Sequence, residues 1–76
     1  MKIKKSRLPY KVRDAVAKGY TPVRIKQQPT LDWCNIINFI KRNITKHVVY
    51  ESDSQGGGWV AFQTEAQASF AVLKFS

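Results

Sequence analysis

The chain is poor in acids, in sulfur and in histidine. Five carboxylates stand against thirteen lysines and arginines, a net charge of +8 over 76 residues. The single cysteine, Cys34, cannot close an internal disulfide, so nothing points to an oxidising compartment. One cysteine and one histidine, His47, cannot form a structural zinc set within the chain. No apolar run approaches the roughly 18 residues of a membrane span. The charged amino terminus is not followed by an apolar stretch of signal-peptide length. A soluble, cytoplasmic protein with no membrane role is expected. There is no carboxylate pair at a recognisable spacing and no nucleophile motif. The glycines of "QGGGW" lack the Gly-Lys-Ser/Thr of a phosphate-binding loop. Neither an enzyme nor a cofactor is expected. A chain this short fits one domain, residues 1–76, which buries roughly 60% of its unfolded surface and has no room for a deep cavity.

The positive charge is unevenly spread. Residues 1–26 hold Lys2, Lys4, Lys5, Arg7, Lys11, Arg13, Lys18, Arg24 and Lys26 against the single acid Asp14. Residues 27–76 balance Lys41, Arg42, Lys46 and Lys74 with Asp32, Glu51, Asp53 and Glu65. Such asymmetry indicates a polyanionic partner: nucleic acid, an acidic protein surface or anionic lipid. Lipid is the poorest of these, because the basic amino-terminal helix has a narrow apolar face built partly of Ala and Val.

Residues 1–5 read as a basic arm. Residues 6–19 read as a helix, with Leu8, Val12, Ala15 and Val16 on one face, Pro9 in the first turn and Gly19 at the stop. In residues 20–27 Val23 and Ile25 alternate with Arg24 and Lys26, a half-buried strand with a basic outer side. Pro22 confines it to an edge or places Pro22 at its start. Residues 30–45 form the clearest helix, with Thr30 as N-cap and Asp32 in the first turn. Its stripe is Trp33, Ile36, Ile37, Ile40 and Ile44, and Asn35, Asn38 and Arg42 lie opposite. Cys34 sits at the flank of that stripe and is expected to pack as a small hydrophobe.

Residues 47–51 and 59–63 read as two strands of a hairpin around the turn-rich "SDSQGGG". Trp59 and Ala61 face one side, and Val60 and Phe62 the other. Tyr50 shares a face with Val48, on the core side or at its rim. Residues 64–73 read as a closing helix capped by Thr64, with residues 70–75 open to a terminal strand instead. The result is an α+β domain: a split βαβ with three or four antiparallel strands, two helices and an extra amino-terminal helix, the ferredoxin-like plan.

At this point "GGGWVAFQTEAQASF" resembles the third strand and second helix of the RNA recognition motif. Gly56, Gly58, Trp59, Val60 and Phe62 match that family's signature, whereas Gln55 replaces its basic residue and Gly57 its first aromatic. Arg24 or Lys26 stands where the first strand of the family offers an aromatic. The resemblance implies a non-catalytic protein binding single-stranded RNA. Trp59 would stack a base, worth about 1–3 kcal/mol. The basic residues of the first 26 would meet phosphates, and the glycines would let backbone or ligand approach closely. Trp59 has a competing place beneath the amino-terminal helix. If that helix covers the sheet, the platform is lost.

A second expectation is a small inhibitor or regulator of a host protein with an acidic surface. In size and charge the chain is similar in style to small phage-encoded accessory proteins. Some of these block nucleases or toxin ribonucleases, in some cases only with bound RNA. A strand edge could also pair two copies.

Overall fold

The computed structural model describes residues 8–53 and 56–75. The basic arm, with Lys2, Lys4 and Lys5, and Arg7 as well, lies outside the described residues. Helix α1 spans Tyr10–Ala17 with Pro9 as its N-cap. Gly19 ends it at φ +102°. The Gly19 N–H donates to the Val16 carbonyl (3.0 Å) and the Tyr20 N–H to the Ala15 carbonyl (3.1 Å). This is a Schellman closure, in which a glycine takes the left-handed position that a Cβ disfavours.

Strand β1 is Thr21–Ile25, followed by helix α2 at Trp33–Asn43, strand β2 at Val49–Ser52, strand β3 at Gly58–Phe62 and helix α3 at Glu65–Phe75. The protein is thus α+β, with three helices and one three-stranded antiparallel sheet among the described residues, in the order β1-β3-β2. Both β1 and β2 run antiparallel to β3, so they are parallel to each other, joined through α2 with β3 between them. Pro22 lies in β1, an edge strand, where a missing N–H is tolerated.

The alternation of β1 and β3 divides the core by the sheet. Val23, Ile25, Val60 and Phe62 face α2 and α3, where Ile36, Ile37, Ile40, Ala68, Ala71 and Phe75 meet them. Phe62, Ile36, Ile40 and Val60 are fully buried. Each side chain of this kind is worth about 1.5–3 kcal/mol in removed apolar surface. Phe39 and Phe75 close the α2–α3 contact edge to face, with ring centroids 5.6 Å apart. The Gln28 side-chain amide donates to the Lys26 carbonyl and to the Phe75 carbonyl at the end of α3.

The other sheet face is not open. Leu8, Val12 and Ala15 of the α1 segment pack on Ala61, with Val16, Tyr20, Val49 and Trp59 at the margin. The helical stripe expected from the spacing of Leu8, Val12, Ala15 and Val16 is the surface that docks. The domain has three layers, α1 over the sheet and α2 with α3 beneath it.

Several local expectations are corrected. The N-cap of α2 is Asp32, not Thr30: its carboxylate accepts the Asn35 N–H at 2.9 Å. The shift places Leu31 just before the cap and Ile36 in the first turn beyond it. Both join one apolar cluster, which fixes the entry angle. Cys34, at the flank of the packed stripe, is exposed rather than packed as a small hydrophobe. Thr64 caps α3 as expected: its hydroxyl accepts the Gln67 N–H at 3.2 Å. Residues 70–75 are helical, and no fourth strand occurs among the described residues.

The glycine run is also explained by packing. Gly56 has φ +87°. A Cβ on Gly57 would strike the Ile25 carbonyl, and one on Gly58 the Glu51 carbonyl and the Trp33 ring. The close approach these glycines allow is made by backbone and by Trp33, not left for a ligand.

Candidate nucleic-acid interface

Cross-strand pairing sets Arg24, Trp59 and Glu51 in one row across the sheet, on the α1 side. Trp59 is half-buried, packed against the cluster under α1. An open platform for it is therefore corrected: α1 occupies the centre of that face, and Trp59 stands at the rim. The cause is legible in α1 itself, whose apolar stripe has no other surface to bury.

Three of the five acids, Asp14, Glu51 and Asp53, lie on this same side. The Arg24 guanidinium meets Asp53 at 2.6 Å. Lys11 meets Glu51 at 3.9 Å, and Lys18 meets Asp14 at 3.9 Å one helical turn away. Asp53 also accepts the Gly57 N–H (3.2 Å), so one carboxylate both closes the hairpin tip and holds Arg24. Arg13 lies 5.7 Å from the Tyr10 ring centroid. Lys26 is exposed just beyond β1. Of the described candidates in the first 26 residues, three share their charge with a carboxylate, and Arg13 and Lys26 do not.

Four cations outside that set are placed differently. Lys41, Arg42 and Lys46, with Asn38, line a shallow groove at the C-terminal end of α2. Arg42 and Asn38 also border a second groove, with Asn35, Phe39 and, from α3, Lys74. Lys41 donates to the Tyr50 hydroxyl at 3.1 Å and stands 5.0 Å from that ring's centroid. Lys74 stands 5.0 Å from the Phe39 centroid. Among the described residues none of the four meets a carboxylate. Counting charge along the chain hid this group, because residues 27–76 sum to zero. The signal was the run Asn35, Asn38 and Arg42 on the face of α2 opposite its isoleucines.

Among the described residues no charged side chain is buried. No group of His, Cys, Asp and Glu side chains could hold a metal ion among them. His47 and Cys34 are both exposed and on different segments. No described helix is long and apolar enough to cross a membrane. Comparison with known proteins finds no matching family model, no similar curated protein and no similar solved structure.

Proposed function

We propose that this is a non-catalytic, cytoplasmic nucleic-acid-binding protein that favours single-stranded RNA and holds it by phosphate contacts. The observation that supports this is the surface placement of its described cations. With no charged side chain among the described buried residues, the excess of lysine and arginine acts on the solvent as a positive field. Phosphate contacts of this kind dominate affinity and carry little sequence information.

The sheet order β1-β3-β2, with α2 joining parallel β1 and β2, is compatible with a ferredoxin-like, RNA-recognition-motif-like plan with three strands among the described residues. On this reading Trp59 gives a base an edge to stack on beside Arg24, not an open face. Binding is correspondingly weaker and less selective. The test is fluorescence anisotropy with labelled single-stranded RNA, single-stranded DNA and duplex DNA across a salt series. Single strands should bind best, with affinity falling steeply as salt rises. A Trp59→Leu variant, which keeps an apolar side chain under α1, should lose about 1 kcal/mol if the ring stacks a base. Binding no better than that of an unrelated peptide of equal charge rejects the proposal.

One observation favours a second reading, an inhibitor or regulator that docks on a protein. Phe70, Val72 and Leu73 are exposed on α3, and Leu73 keeps 82% of its surface. Salt-sensitive binding to a purified acidic nuclease, without affinity for RNA, would support it.

A further inference from the structure

Three described cations of α1 and β1 stand beside acids: Arg24 closely, and Lys11 and Lys18 in exposed pairs at 3.9 Å. On α2 and α3, Lys41 and Lys74 stand against rings instead, and among the described residues Arg42 has neither partner. The Lys41 ammonium rests against Tyr50, and the Lys74 ammonium against Phe39. A carboxylate partner fixes a cation but cancels its field at a distance. An aromatic face also fixes it, with no opposing net charge. A ring-held lysine is thus oriented without an opposing carboxylate beside it.

The four side chains are also contiguous. The groove of Lys41, Arg42 and Lys46 and the groove reaching Lys74 share Asn38 and Arg42. Together they run along the outer side of α2, whose 11 residues extend about 16 Å. Exposed Asn35 and Asn38 add amides that can donate to phosphate or to a base edge. Lys41 and Arg42 complement the negative end of the α2 dipole, which accounts for two basic residues there. Lys74 stands likewise in the last turn of α3. The dipoles do not account for Lys46, which lies beyond α2, nor for the meeting of Lys74 with the α2 groove.

We infer that the outer face of α2, completed by Lys74, is the principal site for the phosphate backbone of a nucleic-acid strand, on the side of the sheet away from α1. The inference rests on the nucleic-acid reading above and moves its site. Lys and Arg meet successive phosphates along the helix, and the asparagines lie between them.

The experiment compares two variants that remove equal charge, each read against labelled oligouridylate RNA and oligodeoxyuridylate DNA, which differ only in the sugar. The triple variant K41Q/R42Q/K46Q removes three cations from the α2 face. The triple variant K11Q/K18Q/R24Q removes three ion-paired cations from the α1 side. The full chain is used, and circular dichroism establishes that each variant is folded. Because Lys41 also packs on Tyr50, the double variant R42Q/K46Q serves as a version that touches neither ring-held lysine.

The α2 triple should lose roughly tenfold or more in affinity. Its salt slope should fall by about one for each contact removed. The double variant should show a smaller loss in the same direction. The α1-side triple should lose less than the α2 triple. Equal losses from both triples would mean that only net charge matters, and would overturn the site while leaving the nucleic-acid reading intact. No binding by the native chain to either strand would overturn both. A tighter complex with RNA than with DNA would add recognition of the ribose to the site, whereas equal affinity would confine it to phosphate.

Discussion

Arg24 of β1 and Asp53, just beyond the end of β2, meet at 2.6 Å across the end of the sheet, beside the half-buried Trp59. The pair joins the outer side of an edge strand to the hairpin tip. It also removes from the surface field one of the two cations that the strand pattern offers to a ligand.

Asp53→Asn keeps the oxygen that accepts the Gly57 N–H and releases Arg24. If Arg24 contributes at all to nucleic-acid binding, its salt slope should steepen by about one. Asp53→Ala removes the hairpin contact as well and should cost about 1–3 kcal/mol in stability. Urea titration of both variants separates the two roles of the carboxylate.

The α1 layer depends on a small contact. Val12 is fully buried between the helix and the sheet. Val12→Ala should cost about 2 kcal/mol. Val12→Asp should undock α1 and uncover Trp59. In a Trp33→Phe background, where Trp59 is the sole tryptophan, undocking should shift its emission to the red and raise quenching by iodide.

The glycine tip admits no side chain. Gly58→Ala drives a methyl toward the Glu51 carbonyl and the Trp33 ring, and Gly57→Ala drives one into the Ile25 carbonyl. Each should lower stability by about 1–3 kcal/mol. Gln27, whose side chain borders Gly56, should tolerate truncation to Ala. Thermal melts check the contrast.

The two possible caps of α2 are separable. Asp32→Ala should cost about 1 kcal/mol, and Thr30→Ala close to nothing. The same turn exposes the Cys34 thiol. It should react with a maleimide in the native state at nearly the rate of the unfolded chain, which a packed cysteine would not do.

Exposed Phe70 and Leu73 test the protein-binding alternative. Phe70→Lys and Leu73→Lys should change stability by no more than about 0.5 kcal/mol. They should not weaken nucleic-acid binding. Loss of RNA binding on either change would move the interface to α3 and away from α2.

The order of helices and strands was legible along the chain, because local periodicity is written in neighbouring residues. Alternation at Val23 and Ile25, and again at Val60 and Phe62, assigns both strands and their inward faces. The stripes of α1 and α2 follow from the 3.6-residue repeat. Gly19 is a stop because only a residue without Cβ takes that φ cheaply. Which surface each stripe covers is not local. The spacing of Leu8, Val12 and Ala15 requires that α1 bury a face, but the sheet that receives it is assembled from residues 21–62, and only their pairing brings Ala61 beneath it. Partners of charge are not local either. Arg24 and Asp53 are 29 positions apart, and Lys74 reaches Phe39 from another helix. The sequence by itself determined the elements, their inward faces and the sign of the surface. Tertiary structure alone decided which cations meet acids and which meet rings, because ion pairing and aromatic contact depend on distances that pairing and packing create.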